Sequence, residues 1–323
     1  MREAAFIKSN REKWQRIEAE SNNKEIQAET IADNFVELTD DLSYARTFYP
    51  RSQTVRYLNK LAGYYFIGLY RYRQRTKGRF ARFWKEELPM IMYKSRKYML
   101  YSFIALIAGV LLGAFSQSQD STFANLILGS AYVNMTEDNI NKGDPMGVYK
   151  KMDQEVMYYV ISTNNIKVAF IAFIMGVLFS VGTVYVMFSN GVMIGVFQYF
   201  FFKKGLLWTS ASAIWLHGTL EISAIVIAGG AGILLGNSIM FPGSYKRTVS
   251  VQRAVKRALK IVVGLVPVFV VAAFIESYIT RLTEMPDAIK IIIIAASALF
   301  IIWYFFYYPH KLNKKINGTA GEN

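Results

Sequence analysis

The chain has 323 residues, of which 53% are hydrophobic and 19% are charged, and its 37 Lys and Arg outnumber its 23 Asp and Glu. Soluble domains average about 45–50% apolar and about 25% charged residues, so this composition excludes an ordinary soluble or secreted globular protein. The absence of cysteine excludes disulfides, Fe–S clusters, thiolate metal sites and cysteine nucleophiles, and two histidines leave little material for a zinc site. We therefore expect no metal and no cofactor.

The first predicted region, residues 1–76, is a cytoplasmic helical region. Apolar residues recur in it at helical spacing, as in the stripe of Phe6, Trp14 and Ile17, and Pro50 separates two such patterns. The spacing predicts a small helical hairpin or bundle. Because a unit of about 70 residues buries only a limited core, we expect it to pack on the membrane domain or on a second copy of the chain, as a homo-oligomer.

A basic segment, residues 77–97, comes next. Between 71 and 97 there are ten lysines and arginines against two acids, with aromatic residues interleaved. Cationic and aromatic residues directly before a membrane span predict an interfacial helix on anionic lipid headgroups, with Arg79, Arg82 and Lys85 as lipid contacts. The alternative is a solvated basic stretch that only sets the topology. No nucleic-acid recognition motif accompanies the charge, so no nucleic acid is expected as a partner.

The predicted transmembrane domain covers residues 98–308. An outer loop over 116–165 and a cytoplasmic loop over 237–260 interrupt it, and a basic cytoplasmic tail over 309–323 follows it. Five spans with a re-entrant segment at 191–205 are the alternative to six. The fold class is therefore all-α, a polytopic helical membrane protein with an N-terminal cytoplasmic helical hairpin. Apolar stretches of membrane-spanning length predict the six spans at about 98–115, 166–187, 188–203, 211–236, 261–280 and 288–308.

The distribution of lysine and arginine predicts the orientation in the membrane. Residues 237–260 carry six basic side chains and no acid, whereas the loop 116–165 carries six acids and three lysines. Because basic loops are retained in the cytoplasm, both termini are predicted to be cytoplasmic. Lys203 and Lys204 are the exception, since six spans place them outside.

His217 and Glu221 form the one polar pair that could carry chemistry. They lie four residues apart in the predicted fourth span, so on a helix both point to one face, about 5–6 Å apart. An ionised carboxylate near the bilayer midplane costs at least about 2.5–3.5 kcal/mol, which a partner, a proton or a water-filled cavity must offset. A structural clamp with Asn190 or Gln198 on another span is one interpretation. A proton relay or substrate site is the other.

Metal binding and enzymatic catalysis are not expected at this pair. One imidazole and one carboxylate have no third ligand that the sequence identifies. The chain also contains no nucleophile motif and no phosphate-binding loop.

Glycines within the predicted spans are the other strong signal. Small residues let helix backbones approach closely in lipid, where apolar bulk alone drives no association. We therefore expect close helix packing at these positions, with hinge flexibility in a transporter as the alternative. The predicted packing glycines are Gly109, Gly113, Gly191, Gly195, Gly218, Gly229, Gly232 and Gly236.

Three parts of the chain carry motifs that resemble one known family. They are Phe6-Ile7-x-x-Asn10-x-x-x-Trp14, then Asp41-Leu42-Ser43-x-Ala45-Arg46 with Tyr57-Leu58-Asn59-x-Leu61, and finally Asn190-Gly191-x-x-x-Gly195 with His217-Gly218-x-x-Glu221. Together they resemble the stage II sporulation protein M family of integral membrane proteins, in its long form with an N-terminal cytoplasmic region.

The resemblance implies a multi-pass protein of the bacterial inner membrane. The founding member of the family acts with partner proteins in peptidoglycan remodelling during engulfment. Long forms also occur outside sporulating bacteria, so the sporulation role is not transferred to this chain. Such long forms are often encoded beside an RDD-type membrane protein and an AAA-type ATPase, which the resemblance suggests as partners.

Two hypotheses for the function follow. The first is a non-enzymatic component or scaffold of a complex that maintains or remodels the cell envelope. The alternative is a small-molecule or ion permease that uses His217 and Glu221. The two differ in whether polar residues of other spans converge on Glu221 around an open cavity or pack dry against it.

Overall fold

A computed structural model describes residues 2–21, 28–74, 78–150 and 152–319 of the chain. Every regular element in these ranges is helical, which confirms the predicted all-α class. The chain divides into two compact units, Met1–Arg82 and Phe83–Asn323.

Three long helices build the first unit. They are α1 (Glu3–Ser21), α2 (Ala28–Phe48) and α3 (Gln53–Gln74), and the short α4 (Arg79–Arg82) follows them. Their apolar stripes face one another, because burying these stripes away from water is what stabilises so small a unit. The resulting core consists of Phe6, Trp14, Ile17, Leu38, Leu42, Ala45, Leu58, Leu61, Ala62 and Tyr65.

Polar contacts between helices join the same residues that carried the N-terminal motifs. The indole Nε1 of Trp14 donates to Asp41 Oδ2 at 2.7 Å, and Lys13 Nζ lies 2.6 Å from the same carboxylate oxygen. The Tyr65 hydroxyl donates to the Ile17 carbonyl oxygen at 2.6 Å. The motif residues of α1 and α2 therefore hold the helices of the first unit together.

The second unit contains helices that are long and apolar enough to cross a membrane. Six such helices occur among the described residues, which confirms the predicted number. They are Phe80–Gln119, Gln154–Val177, Val181–Lys203, Leu207–Met240, Arg247–Ile279 and Asp287–Lys315. Their α-helical parts are α5 (Leu88–Gln119), α7 (Gln154–Ile174), α8 (Val181–Lys203), α9 (Leu207–Met240), α10 (Arg247–Phe274) and α11 (Asp287–Ile302).

Helix α9 is the centre of this unit. It packs against α5, α7, α8, α10 and α11. Of the most apolar 18 residues of α9, 78% are buried inside the protein, whereas only 17% of the corresponding residues of the last membrane helix are buried. A polar group on α9 is consequently shielded from lipid by its neighbours.

The predicted second span, 166–187, is not one helix. Helix α7 begins at Gln154, and a 3₁₀ turn ends it at Val177, after which the chain reverses and α8 starts. Phe179 and Ser180 have positive φ values of 52° and 69°, and the Ser180 hydroxyl donates to the Ile233 carbonyl oxygen at 3.1 Å. Hydropathy does not reveal this turn because it contains apolar residues and no proline.

Helix α8 is continuous where the alternative prediction placed a re-entrant segment. The structure shows 23 helical residues from Val181 to Lys203, where the alternative expected a re-entrant loop at 191–205. The predicted third span, 188–203, starts seven residues earlier than expected because the tight turn precedes it.

The predicted outer loop 116–165 is shortened to residues 120–153. Asp153 caps the N-terminus of α7 by accepting a hydrogen bond from the Glu155 backbone N–H at 2.9 Å, which makes the following residues helical. The shortened segment contains a π-helical turn (Asn125–Gly129), α6 (Ser130–Asn141) and a 3₁₀ turn (Gly147–Lys150). The hydrophobic cluster that this segment forms with α8 and α9 consists of Ala124, Val133, Met146, Val196, Phe200, Phe201 and Ala213.

The predicted cytoplasmic loop 237–260 is shorter still. Helix α9 continues to Met240 and α10 begins at Arg247, so only 241–246 are non-helical. The sequence placed the ends of the spans where the apolar runs stop. The helices extend beyond those runs into polar turns, at the end of α9 and at the beginning of α10, which hydropathy does not register.

Over its described residues, the predicted interfacial helix 77–97 is not separate from the first membrane helix, and its contact with lipid headgroups stays a prediction. A π-helical turn, Phe83–Glu87, leads directly into α5, so residues 83–97 belong to the first membrane helix. The hydroxyls of Tyr304 and Tyr308 donate to backbone carbonyls of this turn at 2.8 and 2.7 Å and hold it against the last helix.

The side chain of Arg79 and all of residue 77 lie outside the described part of the chain, whereas Arg82 and Lys85 are exposed. The predicted tail 309–323 is helical as far as the structure describes it, in α12 (Tyr308–Thr319).

Candidate cation site in the membrane unit

The middle of α9 carries His217 and Glu221 on one face, one helical turn apart. At 1.5 Å per residue, Glu221 lies about 21 Å from the start of a helix that is about 51 Å long. The His217 side chain is 7% exposed, and the apolar helices around α9 account for its burial. His217 is therefore removed from water, whereas Glu221 is partly exposed.

A second carboxylate, Glu276, reaches the same place from the end of α10. It lies in a π-helical turn, Ile275–Ile279, and its Oε1 is 3.8 Å from His217 Nε2. Nε2 or Nδ1 of His217 and one carboxylate oxygen each of Glu221 and Glu276 all lie within 4.8 Å of one another. The expectation that His217 and Glu221 have no third neighbour of ligand type is therefore wrong.

Sequence reasoning missed Glu276, although a signal for it exists. Glu276 is the only charged residue of the predicted fifth span, 261–280. A lone ionisable residue in a membrane span is a candidate functional residue by default. Only the packing of α10 against α9 shows that it belongs with the residues of the fourth span.

The contacts of His217 Nδ1 favour one tautomer of the imidazole. Its Nδ1 lies 3.2 Å from Thr280 Oγ1, and the Thr280 hydroxyl donates to the Ile275 carbonyl oxygen at 3.2 Å. Threonine has a single hydroxyl proton, so the oxygen accepts from Nδ1–H of the imidazole. In this tautomer the unprotonated Nε2 faces Glu276 Oε1 at 3.8 Å, and Nε2 and the two carboxylates, when ionised, are all hydrogen-bond acceptors.

In the described part of the chain, neither carboxylate forms an ion pair with a basic lysine or arginine side chain. Among the residues that the structure describes, no lysine or arginine lies within 4.0 Å of Glu221 or Glu276. The buried amide of Asn165, on α7, lies beside Glu221. Two carboxylates that share one buried site repel each other strongly unless a proton or a cation joins them.

The predicted polar partners Asn190 and Gln198 do not bond to Glu221. Asn190 Nδ2 donates to the Val186 carbonyl oxygen of its own helix at 2.8 Å, and Gln198 Oε1 accepts from the Ser210 hydroxyl at 3.4 Å. These local bonds replace the predicted clamp because α8 presents both amides beside a cavity rather than against Glu221.

That cavity has a volume of about 380 Å³ and lies between α8, α9 and the segment 120–153. The ring of Tyr149 covers the imidazole of His217 edge-on, with 6.0 Å between ring centroids. Burial raises the pKa of the Tyr149 phenol well above its usual value, and the charge of Glu276 adds to this effect, so the phenol keeps its proton. The polar residues that line the cavity are Tyr132, Tyr149, Asn190, Gln198, His217 and Glu221.

A second cavity of about 360 Å³ lies between the segment 120–153, the beginning of α9 and residues 280–290. Thr280, the hydrogen-bond partner of His217, lines it together with Asp144, Glu284 and Lys290. His217 lines the first cavity and its partner Thr280 lines the second.

The predicted packing glycines concentrate where helices cross. A Cβ atom on Gly109, Gly113, Gly191 or Gly195 would overlap backbone atoms of the opposing helix in the pair α5 and α8. On α9, a Cβ on Gly229, Gly232 or Gly236 would overlap atoms of α5, α7, α8 or the turn between α7 and α8.

Gly218 differs from the other predicted packing glycines. Its nearest neighbours are side chains of its own helix, Ile214 and Ile222, both at 3.4 Å. It lines the cavity next to His217 rather than a helix crossing.

Comparison with known proteins covers both units. A family model described as Stage II sporulation protein M matches residues 102–281, which include His217, Glu221 and Glu276. A second model, described as Domain of unknown function (DUF8413), matches residues 4–71. No curated protein and no solved structure matches the chain.

Proposed function

The chain belongs to the stage II sporulation protein M family and is a multi-pass membrane protein, and we propose that its second unit is a permease for a small cation. The observation that carries this proposal is the convergence of Glu221, Glu276 and His217 Nε2 near the middle of the central helix. A structural clamp pairs donors with acceptors, whereas these three groups are all acceptors when both carboxylates are ionised, and the uncharged amide of Asn165 beside Glu221 does not offset their charge. A cation between them supplies the missing positive charge.

Two further features support passage as well as binding. His217 lines one cavity and its hydrogen-bond partner Thr280 lines another, so one hydrogen bond connects the linings of the two cavities. Ionisable side chains inside membrane bundles face water-filled cavities or partners and mark ion pathways. Polar residues of α7, α8 and α10 also lie around Glu221, as a permease requires.

The test is the electrical current that the full-length protein carries in reconstituted membranes. Proteoliposomes on a solid support receive concentration jumps of H⁺, Na⁺ or Mn²⁺. We expect a current for at least one of these ions and its loss in Glu221→Gln and Glu276→Gln. Glu155→Gln, an exposed carboxylate in the first turn of α7, is the matched control and keeps the current. Failure of all three ions to give a current in the wild type overturns the proposal.

A second candidate function is a non-enzymatic component of a cell-envelope complex. The first unit favours it, because this unit packs around its own core and matches a separate family model. Its exposed apolar side chains include Tyr64, Phe66 and Ile67, which are 54%, 58% and 53% exposed. In this proposal the partners are an RDD-type membrane protein and an AAA-type ATPase.

Crosslinking in cells followed by purification of the full chain tests this candidate. Phe66→Ser removes an exposed ring from the first unit, and Phe300→Ser removes one from the second unit as a control. We expect the first substitution to reduce the captured ATPase and the second to leave it unchanged. Capture that is equal for both variants contradicts a docking role of the first unit.

We propose further that both termini are cytoplasmic, in a bacterial inner membrane. The two lysines that conflicted with this orientation are partly balanced, because Lys204 Nζ pairs with Glu137 Oε1 at 2.7 Å. An acid from the segment 120–153 thus reduces the positive charge of this end of the bundle.

A further inference from the structure

We propose that His217, Glu221 and Glu276 bind one divalent first-row transition-metal cation, which deepens and rests on the cation permease proposed above by naming the class of ion. The three groups offer one imidazole nitrogen and two carboxylate oxygens within 4.8 Å of one another. Bonds of about 2.0–2.2 Å around one ion place ligand atoms about 3.3–3.6 Å apart. His217 Nε2 and Glu276 Oε1, at 3.8 Å, are already close to this spacing.

The orientation of His217 suits metal binding. Its Nδ1 lies 3.2 Å from Thr280 Oγ1, and because the Thr280 hydroxyl donates to the Ile275 carbonyl, the tautomer with Nδ1–H as the donor is favoured. Histidine ligands of metals are commonly oriented by a hydrogen bond from the other ring nitrogen. Nε2 is therefore presented to the carboxylates as an unprotonated ligand before any ion arrives.

The charge of the ligand set suits a divalent ion. Carboxylate and imidazole groups are deprotonated when they bind a metal, so in the bound state the three groups contribute a charge of −2, which an ion of charge +2 neutralises. A monovalent ion in the same ligand set leaves one negative charge uncompensated among apolar helices.

The nitrogen ligand narrows the class further. Mg²⁺ and Ca²⁺ bind through oxygen, whereas imidazole suits first-row transition metals and zinc. Three protein ligands also leave a coordination position open, as in sites where the metal exchanges water or substrate. A permeating ion needs such a position, since a fully closed site holds its ion permanently.

Metal titration of the full-length protein in detergent tests this inference. After treatment with chelator, Zn²⁺, Mn²⁺, Mg²⁺ and Ca²⁺ are added separately in a calorimeter. We expect one Zn²⁺ or Mn²⁺ per chain and at least about tenfold weaker binding of Mg²⁺ and Ca²⁺. His217→Gln, Glu221→Gln and Glu276→Gln abolish the binding.

Two further variants make the test specific. His310→Gln replaces the other histidine of the chain, on α12, and keeps full binding. Thr280→Val keeps all three ligands but removes the bond to Nδ1, so affinity falls by about 10–100-fold. Thr280→Val also tests the inference if a ligand variant fails to fold, which gel filtration of each variant reveals.

The outcomes separate this inference from the proposed permease. Lack of Zn²⁺ and Mn²⁺ binding, equal binding of Mg²⁺ or Ca²⁺, or equal losses in His217→Gln and His310→Gln overturn the metal site. A cation current without metal binding leaves the permease and removes the divalent site. Metal binding without any current leaves the site and removes the permease.

Discussion

Glu221 and Glu276 are the residues for which the site predicted from the sequence and the site in the structure differ most. Glu221 was identified with His217 by spacing alone, because four residues make one helical turn. Glu276 lies 55 positions further along the chain and meets Glu221 only through the packing of α10 on α9. The change from a donor–acceptor pair to a set of acceptors alters what the site can do.

The carboxylate cluster predicts opposite effects of Gln and Leu substitutions on stability. In chelator, Glu276→Gln removes one of two like charges and unfolds at a temperature equal to or above that of the wild type. Glu276→Leu also removes hydrogen-bonding capacity and lowers stability by about 1–2 kcal/mol. Thermal unfolding of the full chain in detergent measures both.

Added Zn²⁺ extends this comparison. Saturation at about 100 times Kd stabilises the wild type by about 2.7 kcal/mol, and Glu276→Gln gains nothing. A Gln variant that is as unstable as the Leu variant in chelator contradicts repulsion between the carboxylates.

The buried polar contact between Trp14 and Asp41 is a second prediction at the residue scale. Trp14→Phe keeps an aromatic ring in the core but removes the 2.7 Å bond to Asp41. A hydrogen bond to a charged group contributes about 1.5–3 kcal/mol. We expect faster hydrogen exchange throughout α1 and α2 of the full chain and unchanged exchange in α9, measured by mass spectrometry.

The crossing of α5 and α8 shows how single residues determine the position of a helix. Four of the predicted packing glycines lie at this crossing, where each backbone contacts the other. Small residues allow this approach in lipid, and the packing of the two helices positions the face of α8 that lines the cavity.

Gly191→Ala and Gly218→Ala test this assignment as a matched pair. A Cβ on Gly191 would overlap the Leu106 backbone, whereas one on Gly218 makes only ordinary contacts at 3.4 Å. We expect Gly191→Ala to cost about 1–3 kcal/mol through overpacking and Gly218→Ala to be neutral or slightly stabilising, since Ala favours helix. Unfolding in a denaturing detergent measures both, and equal losses contradict the assignment.

The turn between α7 and α8 was the element that the sequence concealed. Sequence-based boundaries relied on breaks in hydropathy, and residues 178–181 contain none. The chain reverses there because Ser180 adopts a positive φ and bonds to the Ile233 carbonyl of α9. Both features depend on the position of α9, which lies more than 50 residues away along the chain.

The orientation of the whole molecule is testable because the chain lacks cysteine. Single cysteines at Glu20, Glu155 and Lys315 react with an impermeant reagent according to their side of the membrane. We expect labelling of position 155 in intact cells, and of 20 and 315 only after permeabilisation. Labelling of 20 or 315 in intact cells contradicts cytoplasmic termini.

The sequence by itself determined the class of the protein and the number of its membrane helices. Long apolar stretches need to be shielded from water, and this need is local and independent of tertiary contacts. The same holds for the motif residues such as Trp14, Gly191 and His217, whose spacing on a helix follows from its geometry.

Tertiary structure alone decided the ends of the helices and the composition of the site. Helix ends depend on caps and turns such as Asp153 and Ser180, which hydropathy does not register. Glu276 joins His217 and Glu221 only when α10 packs on α9. The sequence shows which residues are costly to bury, but only the packing of one helix on another shows which of them lie together in one site.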